Sequence, residues 1–197
     1  MAPQQFLALV LFAVVTCVTP GPNNVMLTAT GANVGVRRGL PHLFGVNVGF
    51  AVMMFIVATA LGGALIAHPS ALEVLRYVGI AVLLWLAWKI GTSGRVTAPA
   101  DGRPVGFWEA ALFQWVNPKG WLICAGAVTG FLREGSLAAL PQAAMIALTF
   151  LVAGTPCSLT WLGFGAGLQR FLKTDRALRI FNAAMGVLLA FSVVLML

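Results

Sequence analysis

Charge is scarce in this chain, and acidic charge is the scarcest. Its 197 residues include five Asp and Glu and twelve Lys and Arg, so only 9% are charged. Soluble domains carry roughly 25% charged residues, and this composition excludes an ordinary soluble protein. Apolar residues take their place, at 60% of the chain, with a mean hydropathy of +0.95. The sequence therefore predicts an integral membrane protein embedded in a lipid bilayer, and the net charge of +7 is assigned to membrane topology, with no nucleic-acid partner.

Cysteine is also rare, and it follows no pattern. Cys17, Cys124 and Cys157 are odd in number and lack CxxC or metal-ligand spacing, so we expect no disulfide framework, metal site or cofactor. The first residues lack the basic segment and the cleavage site of a signal peptide, so we expect the first helix to remain in the mature protein. An HExxH motif, an intramembrane carboxylate pair and a nucleophile beside a base are all missing, so no catalytic residue and no enzyme are expected.

Long apolar runs predict an all-α fold, because each run suits a membrane helix of about 20 residues. The short alternating segments of a membrane β-barrel are missing. The predicted fold is a single transmembrane domain, 1–197, with a first three-helix repeat (1–91), a cytoplasmic linker (92–104) and a second repeat (105–197). Its six predicted spans are 5–31, 41–67, 72–91, 107–131, 138–167 and 177–197.

The two predicted halves resemble each other. A shift of 98 residues puts Pro20 on Pro118, and a shift of about 100 puts Pro41 on Pro141. Each half contains an odd number of spans, so the second copy must cross the membrane in the opposite sense. This pattern predicts an inverted-topology repeat, which is common in secondary transporters.

Basic residues predict the orientation. Nine of the twelve fall in the loops between spans 1 and 2, 3 and 4, and 5 and 6, whereas the opposite side has only Arg76 and Arg133. The positive-inside rule makes the three basic loops cytoplasmic, so both termini are predicted on the outer face.

The segment TCVTPGPNNVML, residues 16–27, interrupts the first predicted span near its centre. Pro20 and Pro22 have no backbone N–H, which leaves the carbonyls of Thr16 and Val18 without their helical partners. In hydrocarbon an unsatisfied carbonyl costs several kcal/mol, so broken backbone persists there only where it faces protein or a wet cavity. The segment therefore predicts a broken helix beside a cavity near the middle of the membrane.

The fourth predicted span has a similar interruption in FQWVNPKGW. Pro118 is predicted to free the carbonyl of Gln114, and Lys119 follows directly. A lysine at the centre of a span costs about 2.5–3.5 kcal/mol on insertion scales, so such a residue indicates a function. The five acidic residues fall near predicted helix ends or in loops, which leaves Lys119 without a protein counter-ion.

A cation, free N–H groups and free carbonyls together suit a ligand with its own carboxylate and ammonium, namely an amino acid. Lys119 and the N–H groups near Asn23 and Asn24 would hold the carboxylate. The carbonyls of Thr16 and Val18, with Thr19 and Gln114, would hold the ammonium. The predicted substrate-binding residues are Thr16, Thr19, Pro20, Gly21, Pro22, Asn23, Asn24, Gln114, Asn117, Pro118 and Lys119.

These motifs, TPGPN at 19–23 and NPK at 117–119, resemble those of the LysE/RhtB superfamily of amino-acid exporters. WLAWKI at 85–90 and GFW at 106–108 are similar to its cysteine and O-acetylserine branch. The resemblance implies a carrier of the bacterial inner membrane that exports amino acids or derivatives in exchange for protons. Together with the broken helices and Lys119, it predicts a secondary transporter that exports a neutral amino acid or derivative. In that membrane the termini predicted on the outer face are periplasmic. It leaves cysteine, O-acetylserine, threonine and homoserine open as substrates. Some members have an acidic residue where this chain has Phe50, and that difference weakens the expectation of proton coupling through helix 2.

Two other functions fit the sequence. Cys17 and Cys124, each near a broken helix, would suit a thiol oxidoreductase that passes electrons across the membrane, and an amino-acid channel would use the same cavity. The glycine-spaced segments GVNVG (45–49) and GAVTG (126–130) favour close helix packing, either within the chain or in a homo-oligomer.

Overall fold

The computed structural model describes residues 1–61, 69–92, 104–132, 139–172 and 174–194. Within these ranges every regular element is a helix, which confirms the all-α part of the predicted fold. The predicted linker at 92–104 lies almost wholly outside the described residues. The helices are α1 (Pro3–Val18), α2 (Pro22–Ile56), α3 (Pro69–Thr92), α4 (Phe107–Phe113), α5 (Pro118–Phe131), α6 (Ala139–Leu168) and α7 (Asp175–Val194). A π-helical turn, Val57–Leu61, extends α2, and a 3₁₀ turn, Gln114–Val116, follows α4.

Helix α2 folds back on itself at Gly35, which has φ 78° and ψ 176°. Twelve residues of straight helix rise about 18 Å. However, Thr30 Oγ1 lies 2.8 Å from His42 Nδ1, so the two arms of α2 run side by side. Only glycine adopts this backbone conformation without strain. The predicted second span therefore begins just after Gly35 rather than at Pro41, which lies inside the helix. The loop predicted between spans 1 and 2 is reduced to this bend.

Glycines let neighbouring helices approach until their backbones touch. A Cβ on Gly31 of α2 would overlap the Leu162 carbonyl of α6, and a Cβ on Gly165 of α6 would overlap the Thr28 carbonyl of α2. Tight packing of this kind is a common means of association between membrane helices, where no water is available to drive burial. The first arm of α2 is thereby fixed against the second half of α6.

The GVNVG segment packs within the chain. Gly45 contacts the Phe107 carbonyl and Gly49 contacts Ala111, both in α4. In the other glycine segment, a Cβ on Gly126 would meet only the Phe12 ring, at 3.3 Å, and one on Gly130 would meet nothing within 4 Å. Of these two described glycine segments, GVNVG is therefore the one that packs against a neighbouring backbone. It fixes the second arm of α2 against α4, the first part of the fourth predicted span.

The main core lies where α1, the second arm of α2, α5 and α6 meet. Met53, Cys124, Ile146 and Phe150 are each at most 1% exposed there. A second cluster joins the first arm of α2 to α3, α4 and α7, with Leu83 and Leu189 fully buried. The two clusters flank the interruptions of the first and fourth predicted spans.

Large apolar side chains cover the outer surface. Val152 is 72% exposed, Trp108 75% and Leu7 59%. So much exposed apolar surface requires an apolar environment or partner. Two helical segments, Pro22–Thr59 and Leu140–Leu168, are long and apolar enough to cross a membrane, and the first includes the bend at Gly35. Six crossings and an inverted repeat stay predictions.

Candidate functional site

The first interruption is a short extended segment between α1 and α2. Thr19 has φ −57° and ψ 130°, and Gly21 has φ −177° and ψ −178°. The Thr19 N–H makes the last α-helical bond of α1, to the Val15 carbonyl at 3.0 Å. Pro22 then starts α2 at a position whose N–H has no helical partner, so proline is tolerated there. The broken helix predicted from the two prolines is present.

Asn24 satisfies part of this broken backbone. Its Nδ2 donates to the Cys17 carbonyl at 2.9 Å and to the Thr19 carbonyl at 3.0 Å, and its side chain is only 7% exposed. The sequence predicted contacts at the carbonyls of Thr16 and Val18 instead. The extended conformation after α1 lets Asn24 reach the carbonyls of Cys17 and Thr19. Counting the hydrogen bonds that proline removes from a straight helix could not predict this. The Thr16 hydroxyl points back to the Phe12 carbonyl, at 2.7 Å.

The second interruption is at Asn117, with φ −84° and ψ 105°, between the 3₁₀ turn and α5. The predicted free carbonyl of Gln114 is wrong, because it accepts the Asn117 N–H at 3.2 Å. The tighter turn replaces the bond that Pro118 cannot make. The Trp121 indole donates to the neighbouring Trp115 carbonyl at 2.9 Å. Protein groups therefore satisfy this break locally.

Lys119 connects the second break to the first. Its Nζ donates to the Thr19 carbonyl at 2.8 Å and to the Pro20 carbonyl at 3.3 Å. The side chain lies over Gly21, where a Cβ would be 2.8 Å from Lys119 Cδ. Gly21 is therefore required for space, since its extended backbone is open to any residue. The charge that seemed to lack a partner is held by carbonyl dipoles of the broken helix.

Asn23 and Gln114 form a second link between the breaks. Asn23 Nδ2 donates to Gln114 Oε1 at 2.9 Å, and Gln114 Nε2 donates to Asn23 Oδ1 at 3.2 Å. Gln114 is fully buried, and its Nε2 also donates to the Ala110 carbonyl at 2.9 Å. The two amides satisfy each other, so Gln114 has a structural role here rather than facing the cavity.

A cavity of about 60 Å³ lies beside these contacts and would hold a few water molecules. Four helices line it: α1, α2, α5 and α6. Seven of the predicted site residues face it, namely Thr16, Gly21, Pro22, Asn23, Asn24, Asn117 and Lys119. The other four, Thr19, Pro20, Gln114 and Pro118, form the breaks but do not line the cavity.

Asn47 and Ser158 line the same cavity and were missed in the sequence. Each is 6% exposed, and Ser158 Oγ donates to Asn47 Oδ1 at 3.3 Å. GVNVG was interpreted only as a packing motif, although a polar side chain inside an apolar span is itself a sign of function. Asn117 adds another polar atom, because its Oδ1 is buried and has no hydrogen-bond partner.

The cavity wall carries one formal charge among its described lining residues, that of Lys119. Phe50 and Phe150 close one side, packed edge to face with ring centroids 5.5 Å apart. No group of three His, Cys, Asp or Glu side chains in the described ranges is arranged to hold a metal ion. The arrangement can bind a small molecule that offers a carboxylate to Lys119 and hydrogen-bonding groups to the amides.

The fold and site define a helical membrane protein with two interrupted helices that meet at a small polar cavity. The family model for LysE type translocators matches residues 14–197, and the chain belongs to that family. It is therefore a transporter and not an enzyme. The interpretation as a thiol oxidoreductase is set aside, and all three cysteines are free thiols.

Several proteins similar to this chain share a name that states what they export. The chain is 32% identical over 184 residues to the cysteine/O-acetylserine efflux proteins of Salmonella choleraesuis (strain SC-B67) and Salmonella typhimurium (strain LT2), covering 93% of this chain and 94% of each relative. It is 28% identical over 173 residues to the protein of the same name from Escherichia coli (strain K12), covering 88% of both chains. No solved structure matches the chain significantly.

Proposed function

We propose that this protein is a secondary active exporter of a small neutral amino acid or derivative, with its binding site at the junction of the two broken helices. The observation that carries the proposal is the contact of the Lys119 ammonium with the Thr19 carbonyl beside a cavity whose described lining has no acidic side chain. A cation and its carbonyl acceptors are thus next to each other. An amino acid presents the complementary pair of charges.

Binding exchanges one ammonium for another. Before the substrate arrives, Lys119 Nζ occupies the carbonyls of Thr19 and Pro20. The substrate carboxylate attracts Lys119 away from them, and the substrate ammonium takes the carbonyls that are released. The carbonyls keep a charge-assisted hydrogen bond, because one ammonium replaces another there. The substrate carboxylate adds a new charge-assisted bond to Lys119, and such a bond is about twice as strong as a neutral one. A molecule with only one of the two charges can complete only half of the exchange.

The predicted site residues divide between two tasks. Those that line the cavity contact the substrate, and Asn117 Oδ1, which has no partner, is a further acceptor for its ammonium. Gln114 and Pro118 hold the second break in position. Thr19 and Pro20 form the first break, and their carbonyls bind the substrate ammonium once Lys119 has moved away from them. Asn23 and Gln114 connect the breaks, so a change on one is transmitted to the other.

Transport requires the cavity to widen, because about 60 Å³ is well below the roughly 300 Å³ of the smallest usual ligand pockets. We propose alternating access by movement of one three-helix repeat against the other, in the bacterial inner membrane with both termini periplasmic. The bend at Gly35 and the break at Thr19–Gly21 lie at the two ends of the first arm of α2 and are its proposed hinges. The packing of this arm on α6 is then a contact that must change during transport. Protons are the proposed coupling ion, because a secondary active exporter is driven by the inward flow of another solute.

The relatives and the chemistry of the cavity both support the proposed substrate class. The relatives named above are cysteine/O-acetylserine efflux proteins, and we propose the same type of substrate here, with threonine and homoserine as the nearest alternatives. All four share the zwitterionic part that Lys119 and the carbonyls would bind. All four also carry a short polar side chain.

The test is transport of radiolabelled L-cysteine by purified protein in proteoliposomes, under an imposed pH gradient. We expect the wild type to transport it and Lys119→Ala to lose transport about tenfold or more, because a hydrogen bond to a charged group contributes about 1.5–3 kcal/mol. The matched control is Lys89→Ala, whose ammonium lies 5.0 Å from the Trp85 ring and does not line the cavity. Equal transport by Lys119→Ala and the wild type would contradict the proposal.

The same vesicles separate a carrier from an amino-acid channel. If the protein is a carrier, vesicles preloaded with unlabelled cysteine accumulate the labelled cysteine by exchange. The initial rate of uptake then saturates as the cysteine concentration rises. A channel gives neither exchange nor saturation at low substrate. Proton coupling is tested in vesicles without preloaded cysteine. Loss of their net accumulation when the pH gradient is collapsed, with exchange retained in the preloaded vesicles, would support proton coupling. Net accumulation that persists without the gradient would remove protons from the mechanism.

A further inference from the structure

We infer that Asn47 and Ser158 recognise the substrate's side chain and select a short one that bears a hydrogen-bonding group. The inference rests on the proposed function and adds to it the residues that determine specificity. Both residues line the cavity, yet neither lies next to one of the two breaks. They are supplied by the second arm of α2 and by α6, so the zwitterion and the side chain would be bound by different segments of the chain.

The pair is fixed in orientation. Asn47 Nδ2 donates to the Leu43 carbonyl at 2.8 Å, one turn earlier in α2, and Asn47 Oδ1 accepts from Ser158 at 3.3 Å. A buried amide held on both sides does not need to reorganise when a ligand arrives. Preorganised polar groups of this kind provide specificity more than affinity.

Hydrogen-bonding capacity is left over on both side chains. An amide oxygen accepts two bonds and its NH₂ group donates two, while a hydroxyl accepts as well as donates. Asn47 has used one of each, and the Ser158 oxygen still accepts. The pair can therefore receive a thiol or hydroxyl proton, and Asn47 can donate to an ester oxygen. An apolar side chain would leave this remaining capacity unpaired in a buried site, and a site of this kind discriminates against analogues that lack the hydrogen-bonding group.

The surrounding wall restricts size and polarity. Val46, Phe50, Ile123 and Phe150 are apolar lining residues of the same cavity, and none of them can pair with a charged side chain. A long or ionised side chain would be buried there without compensation. The pocket thus favours one polar atom on a short stem.

Gly154 makes room for Asn47. A Cβ on Gly154 would lie 2.6 Å from Asn47 Oδ1, and Cys17 Sγ is 3.6 Å from the same point. Gly154 does not line the cavity. A substitution there can therefore displace Asn47 without adding any group to the site. Gly163, in the same helix, is a matched control, because a Cβ there meets nothing within 4 Å.

The experiment measures competition in proteoliposomes that take up radiolabelled L-cysteine. L-Serine and L-α-aminobutyrate, which have a hydroxyl and a methyl group where cysteine has its thiol, are compared as inhibitors. The wild type and Gly163→Ala should prefer serine. Asn47→Ala, Ser158→Ala and Gly154→Ala should reduce the ratio of the two inhibition constants about 3- to 10-fold, the range of one neutral hydrogen bond.

The outcomes distinguish this inference from the proposed function. If the wild type transports none of these amino acids, the proposed function fails and the inference with it. If Ser158→Ala and Asn47→Ala still transport cysteine with the wild-type ratio of inhibition constants, the proposed function stands and this inference is wrong. Asn47→Ser retains a polar group, so recovery of part of the preference in that variant would support hydrogen bonding rather than shape. If Asn47→Ser shows the same ratio of inhibition constants as Asn47→Ala, the inference that Asn47 acts by hydrogen bonding is wrong.

Discussion

Lys119 Nζ lies 2.8 Å from the Thr19 carbonyl oxygen, although the two residues are 100 positions apart in the chain. The contact joins the start of α5 to the end of α1, so each broken helix satisfies a polar group of the other. It also explains how a lysine is tolerated in an apolar protein without a carboxylate partner. Carbonyl dipoles at a helix C-terminus carry partial negative charge and stabilise a cation.

Gly21→Ala should displace Lys119 from its position. The added Cβ would lie 2.8 Å from Lys119 Cδ and 2.9 Å from its Nζ, so the side chain must move. Because extended backbone at this position suits alanine as well as glycine, the fold should persist. We expect cysteine transport in proteoliposomes to fall about tenfold or more, as for loss of a charge-assisted bond. Gly163→Ala serves as the control, and equal transport by both variants would show that the position of Lys119 does not matter.

The Asn23–Gln114 pair should be energetically coupled. Each amide donates to the other, so removing one leaves its partner buried without that bond. In a double-mutant cycle with alanine at both positions, we expect a coupling energy of about 0.5–3 kcal/mol, the range for residues that share hydrogen bonds. Reversible unfolding of the purified protein measures it. Strict additivity of the two single substitutions would mean that the breaks are not joined by this pair.

Gly31→Ala should destabilise the packing of α2 on α6. The new Cβ would overlap the Leu162 carbonyl, and backbone cannot move aside as a flexible side chain can. Overpacking of a close contact costs about 1–3 kcal/mol, so the melting temperature in detergent should fall. Gly167→Ala in α6 is the control, because its Cβ meets nothing within 4 Å. A melting temperature of Gly31→Ala no lower than that of the control would contradict this packing.

The general form of the fold could be predicted from composition and proline positions. The apolar runs gave the helical class, and Pro20, Pro22 and Pro118 gave the two interruptions. The bend at Gly35 was not predictable, because RRGLPH reads as a loop until tertiary contacts such as Thr30–His42 fix the two arms side by side. A helix boundary is decided by such contacts as much as by local preference.

The site was predicted in part, for a similar reason. Proline removes a donor at a known position, so the residues around each break could be named from the sequence. Which carbonyls then face a partner depends on the extended backbone at Thr19–Gly21, and the 3₁₀ turn before Asn117 depends on local geometry. Asn47 and Ser158 are 111 positions apart in the chain and meet only because α2 packs against α6. No local sequence motif predicts such a contact.

The central claim is that one site binds both charges of an amino acid, with Lys119 on the carboxylate side. The most direct measurement compares L-cysteine with cysteamine, which lacks the carboxylate, and β-mercaptopropionate, which lacks the ammonium, as inhibitors of cysteine transport. We predict that each analogue inhibits the wild type at least about tenfold more weakly than cysteine. In Lys119→Arg, which keeps the charge, part of the discrimination against cysteamine should remain. Inhibition of the wild type by either analogue as strong as that by cysteine would contradict the claim.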